Sequence, residues 1–136
     1  MELPLKKSTH KKPGETINCY EECTWLGNAK PIYENKYCAV FQDKYPVTNG
    51  HLLFVPKKND IYHIAEAYKL AYYCGEEWTK EGKMDGFNIG QNHGTPAGQT
   101  IMWPHIHFIP RKKGDCKNPT GGIRSVIPTK GDYTKY

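Results

Sequence analysis

The chain has 136 residues, 38% of them hydrophobic and 24% charged, with ten Tyr, three Trp and a formal net charge of +5. That size fits one ordinary domain burying roughly two-thirds of its unfolded surface, and the aromatic content excludes a disordered chain. No apolar run approaches the ~18 residues that span a bilayer, and MELPLKKSTHKKPGET lacks a signal core, so a cytoplasmic protein with no membrane partner is expected.

In chain order, residues 1–16 are polar, Lys-rich and broken by Pro13-Gly14. They are expected to form a flexible basic arm, followed by a single domain over 17–136. Residues 36–42 (KYCAVFQ) and 51–55 (HLLFV) are short, apolar and rich in β-formers. Pro46, Asn49 and Gly50 separate them as turn residues, which predicts two neighbouring antiparallel strands. From Ile61 to about Glu81 the positions Ile61, Ile64, Ala65, Tyr68, Ala71, Tyr72, Gly75 and Trp78 recur at steps of three and four, which predicts a long helix with one buried face. Asn59 or Asp60 can cap its start and Gly82 its end. Residues 86–91 (GFNIGQ) read as a strand leading into a Gly/Pro loop, and 101–109 (IMWPHIHFI) as the next strand. The Gly- and Pro-rich tail after Arg111 is expected to wrap the surface as irregular chain. Strand, strand, long helix, strand, strand describes an α+β domain with a mostly antiparallel sheet. The five cysteines lack the dense spacing of a disulfide scaffold, so free thiols are expected.

Alternate side chains of a strand share a face, so Trp103, His105, His107 and Ile109 are expected to point one way. The two imidazoles would stand roughly 6.6 Å apart, two rises of ~3.3 Å. Neutral imidazole is nucleophilic and exchanges protons near neutral pH, so one ring can attack phosphorus while the other holds a non-bridging oxygen. Half-buried polar residues or metal ligands are the other readings of His-x-His. The loop from Asn92 to Thr100 offers glycines, amide and hydroxyl donors and no carboxylate, as an anion cradle requires. Pro104 cannot donate to a ladder, so the strand is expected to be open on one side there. Arg111, Lys112 and Lys113 follow the pair directly and are candidates for a part in the site.

The stretch GQTIMWPHIHFIPR, residues 98–111, resembles in register the signature of the histidine triad (HIT) family of nucleotide hydrolases and transferases, His-φ-His-φ-His-φ-φ preceded by Gly-Gln and followed by Pro-Arg. Residues 41–58 (FQDKYPVTNGHLLFVPKK) and 85–100 (DGFNIGQNHGTPAGQT) resemble two further blocks of that family, and the likeness runs from about residue 17 to the C-terminus. It implies a HIT-like fold with a mostly antiparallel five-stranded sheet, one long helix and a short N-terminal helix or turn, usually as a homodimer. It also implies cleavage of a nucleoside phosphoryl bond at the α-phosphate. By position His105 would be the nucleophile, His107 a phosphate ligand, and His51 a support hydrogen-bonded to the nucleophile. Gln99 and Thr100 would bind the phosphate and leaving group, Asn92 and Gly98 would line the phosphate pocket, and Asp43 would hold the ribose hydroxyls. The expected partner is a purine nucleotide or dinucleotide, with no cofactor.

Two departures stand out. Trp103 occupies the first His position, and indole can neither take a proton nor accept a hydrogen bond at nitrogen. It can pack as core or form a stacking surface for a ligand. Many family members hold a structural zinc through CxxC and two histidines. Here Cys19 and Cys23 are spaced CxxxC and Asn59 follows the Pro-Lys-Lys, so no metal is expected. The function expected is hydrolysis or transfer through a nucleotidyl-histidine, for example on dinucleoside polyphosphates or nucleoside phosphoramidates. A catalytically weakened nucleotide-binding module and aprataxin-like action on adenylylated nucleic-acid ends are the alternatives.

Overall fold

The computed structural model describes residues 10–135, so residues 1–9 of the expected arm and Tyr136 lie outside the described residues. A 3₁₀ turn (Tyr20–Glu22) and the short helix α1 (Thr24–Asn28) precede β1 (Tyr33–Glu34), β2 (Cys38–Gln42), β3 (Leu52–Pro56), α2 (Ile61–Lys80), β4 (Gly86–Gly90) and β5 (Ile106–Arg111). The five strands form one sheet in the order β1-β2-β3-β5-β4, antiparallel throughout. This is the expected α+β architecture. The two-residue β1, not among the four strands read along the chain, is the fifth strand that the resemblance implies, turned onto β2 by Asn35, whose side-chain oxygen accepts from the backbone N–H of Tyr37 and Cys38.

The period-two alternation divides the sheet into two faces. Cys38, Val40, Leu52, Phe54, Ile106 and Phe108 pack under α2. Ala39, Phe41, Leu53 and Val55 face the other way and are covered by Ile17, Cys23, Tyr20, Trp25 and Leu26 of the N-terminal segment. Helix α2 starts at Asp60, whose carboxylate accepts the His63 N–H at 2.8 Å. Its buried face is narrower than the apolar stripe suggests: Ala67, Ala71 and Gly75 are buried, whereas Ile61 and Tyr72 are more than half exposed. Small residues let the helix approach the sheet closely, and a Cβ on Gly75 would meet the Phe87 ring at 2.6 Å.

The last strand is shorter than expected. It begins at Ile106 rather than Ile101, and residues 101–105 have no ladder beyond one parallel bridge between Thr16 and Met102. Pro104 lacks an N–H, and the N-terminal segment takes the neighbouring position. The expected open side therefore belongs to this irregular run, because β5 itself is flanked by β3 and β4.

The described part of the expected arm, residues 10–16, is tied to the domain. Lys11 N–H donates to the Glu22 carbonyl and Gly14 N–H to the Thr100 carbonyl, each at 2.8 Å, and Thr24 Oγ1 donates to the Lys11 carbonyl. Among the described residues, hydrogen bonds to the domain reach back to Lys11, ahead of the boundary expected at residue 17.

Candidate active site

The site lies on the sheet face away from α2. His51 immediately precedes β3, Asp43 follows β2, His107 is the second residue of β5, and His105 closes the irregular run before it. Leu53 and His107 are direct cross-strand partners. The rings of His105 and His107 stand edge to face, with centroids 5.2 Å apart. Trp25 of α1 meets His105 edge-on, its ring centroid 4.7 Å away.

The hydrogen bonds assign every ring proton. Val47 N–H donates to His51 Nδ1 at 3.0 Å, so that nitrogen carries a lone pair and the neutral ring is protonated on Nε2. His51 Nε2 lies 2.9 Å from His107 Nδ1 and 3.4 Å from Asp43 Oδ2, and its proton goes chiefly to the nearer nitrogen. His107 Nδ1 is then an acceptor, and the His107 proton sits on Nε2. His105 Nδ1 is 2.7 Å from the Trp103 carbonyl oxygen, which can only accept. The His105 proton is therefore on Nδ1, leaving a lone pair on Nε2. The three rings thus present one nucleophilic nitrogen and one N–H donor.

Their surroundings keep all three rings neutral. Burial pushes His51 and His105 below the ordinary histidine value, against the opposing pull of Asp43 on both and of the Trp103 carbonyl on His105. His107 falls to about 4, through burial first and then its two histidine neighbours. The contact between Asp43 and His51 is therefore a carboxylate beside a neutral ring dipole, not an ion pair.

A cleft of about 620 Å³ opens over this cluster, within the usual size of small-molecule sites. Of the expected residues, Asp43, Asn92, Gly98, Thr100, His105 and His107 line it. Gly98 turns the loop with a left-handed φ of +95°, where a Cβ would be strained. Three expectations change. His51 is buried, does not line the cleft and braces His107, while the Trp103 backbone holds His105. The Gln99 side chain accepts from Gly94 N–H and donates to the Ile101 carbonyl, so it braces the loop. The Trp103 ring is core, 3% exposed, with its indole N–H donating to the Pro56 carbonyl at 2.8 Å, and of the two readings left open only packing is seen. Arg111 also stays outside the cleft, in a two-bond pairing with Asp115 and a third bond to Asn88. The sequence reading missed His10, Lys11, Lys12, Trp25 and Tyr45 as cleft residues. Only the turn-forming Pro13-Gly14 hinted that the basic segment is folded.

Among the described residues, the group with donor atoms close enough to share a metal is Asp43, His51 and His107. It fits a metal poorly, because His51 Nε2 already carries the proton that Val47 forces onto it. Cys19 and Cys23 join no such group, and the Cys23 thiol is pushed up to about 12, chiefly by burial. The structural zinc of the family has no matching donor set in these residues.

Fold and site together define an α+β domain that mounts a neutral histidine cluster beneath a basic cleft. The HIT domain family pattern matches residues 27–114, and the chain belongs to the HIT family. It is 30% identical over 134 residues to Protein hit of Bacillus subtilis, covering 88% of each chain. It is 35% identical over 94 residues to Adenylylsulfatase HINT3 of Arabidopsis thaliana, covering 62% of this chain and 47% of that protein, so it spans about half of that relative's length. Among solved structures it resembles a zinc-bound histidine triad family protein of Mycobacterium smegmatis, with a TM-score of 0.59 and 29% identity over 66% of this chain and 72% of that one.

Proposed function

We propose that the protein is a nucleotide hydrolase or nucleotidyl transferase that acts at a nucleoside 5′-phosphoryl centre through a covalent nucleotidyl-His105. The observation that carries this reading is the Nδ1 bond of His105 to the Trp103 carbonyl, which leaves Nε2 as a free nucleophile at the cleft. In the first step Nε2 forms a bond to the α-phosphorus, and the bond from phosphorus to the leaving group breaks with its electron pair. The imidazole becomes cationic, and the carbonyl beside Nδ1–H stabilises that charge. His107 Nε2–H donates to a non-bridging oxygen. Water or another acceptor then displaces the histidine, giving up a proton and restoring neutral His105. Because a backbone atom holds the nucleophile, Trp103 in place of the first triad histidine does not disable this step.

The Arabidopsis relative's name, an adenylylsulfatase, supports a substrate with an activated adenylyl group. Asp43 at the cleft wall is a suitable diol acceptor for ribose. A homodimer would extend the sheet through edge strand β4, beside the exposed Tyr72 that packs on Phe87. The five unpaired thiols suit the reducing cytoplasm.

The test is intact mass spectrometry during turnover of an adenylylated substrate. A transient nucleotidyl adduct that His105→Ala abolishes is expected. Nucleotide binding with neither adduct nor product would refute the enzyme and leave a binding module.

A further inference from the structure

The strap formed by residues 10–16 carries unassigned charge into the cleft. Lys12, Pro13, Gly14 and Glu15 make a β-turn closed by Glu15 N–H on the Lys12 carbonyl at 3.1 Å. Proline at its second position and Gly14 at φ +85° at its third are what a type II turn requires. The Glu15 carboxylate accepts the Lys12 backbone N–H at 2.8 Å, which braces the turn from within. Lys11 N–H on the Glu22 carbonyl, the Thr24 hydroxyl on the Lys11 carbonyl and Gly14 N–H on the Thr100 carbonyl hold the strap's backbone in place.

Lys11 and Lys12 both line the same cleft as His105 and His107. Neither is in a salt bridge among the described residues. With Lys44 they put three lysines against one acidic residue, Asp43, in the cleft lining. Lys44 stands over the Tyr45 ring beside Asp43, whereas the strap is tied to Thr100 and Met102, in the run that leads into His105. A nucleotide whose α-phosphate meets His105 and whose ribose reaches Asp43 leaves the strap to the group beyond the α-phosphorus.

Building on the nucleotide reading above, we propose that Lys11 and Lys12 form a second anion subsite that selects substrates with an anionic leaving group, a phosphate chain or a sulfate, over those with a neutral amine. The lysines bind the leaving group's charge, which grows as the bond to phosphorus breaks. A neutral amine gains nothing from them.

The experiment is calorimetric titration of AMP and of α,β-methylene ADP, which shares the nucleoside and α-phosphate but adds a non-hydrolysable second phosphoryl group. Wild-type protein is expected to bind the methylene analogue about tenfold tighter than AMP, the effect of one or two partly exposed charge contacts. In the Lys11→Ala/Lys12→Ala variant that preference collapses toward unity with AMP affinity essentially unchanged, and in Lys11→Arg/Lys12→Arg it persists. A preference that survives the double alanine variant, or AMP affinity that falls in step with it, overturns the subsite while leaving the nucleotide reading intact. Failure of the wild type to bind either nucleotide overturns both.

Discussion

Replacing His51 with Phe separates the support of the second imidazole from the support of the first. The substitution keeps ring bulk in a buried position but removes the donor to His107 Nδ1 and the acceptor for Val47 N–H. Leaving a buried acceptor without a partner costs about 1–3 kcal/mol, while the loop N–H can turn to water. A net loss of about 2 kcal/mol should lower Tm by roughly 5–10 °C for a domain of this size. The chemical effect follows from the tautomer. Without His51, His107 no longer holds its proton only on Nε2, and losing much of one donor to the transition state should cost on the order of 10–100-fold in kcat/KM. His105 keeps its bond to the Trp103 carbonyl, so the nucleotidyl adduct should still form, only more slowly. Thermal melts, steady-state kinetics and intact mass give the three readouts, and ¹⁵N NMR reads the tautomers directly. A His51→Phe enzyme with wild-type kcat/KM, or a wild-type His107 protonated on Nδ1, would refute the assignment of ring protons.

Two further outcomes can be checked by simpler means. His107 is depressed to about 4 in the folded protein against an unfolded value near 6.5, so the unfolded chain binds the proton first on acidification. Its contribution to stability is full above about pH 6.5 and is lost progressively as pH falls toward 4, about 3 kcal/mol at the upper bound by linkage. Urea melts between pH 7 and 4 should show this slope, reduced in His107→Asn, and equal slopes in the two proteins would count against it. Trp103→His, which restores the family signature, should destabilise the protein by about 2–4 kcal/mol because it empties indole volume from the core and removes the bond to Pro56, without increasing turnover. Wild-type stability with faster turnover would show that Trp103 is not simply core.

Four of the five strands, the long helix and the histidine pair could be read from local pattern, while the fifth strand and the other expected cleft residues came from the family resemblance. Periodicity placed α2 to within a residue of its observed ends, and the positions that the resemblance assigned to the site, Asp43, Asn92, Gly98, Thr100, His105 and His107, line one cleft. Other features depended on distant partners. Ile61 and Tyr72 fit the helical stripe yet are exposed, because close packing at Gly75 selects the small-residue face. The strand before the histidines was overextended, since β-formers at 101–105 compete with a strap docked from residues 14–16.

The amino-acid sequence alone determined the fold class, the histidine pair and the loop that faces it, because those are properties of neighbouring residues and of side-chain period. Which atom holds each ring was decided only by tertiary structure. Val47 reaching back to His51, the Trp103 carbonyl beneath His105, and two lysines carried from the start of the chain to the cleft are contacts set by three-dimensional packing. A ring proton sits where its hydrogen-bond partners put it, and spacing along the chain does not specify those partners.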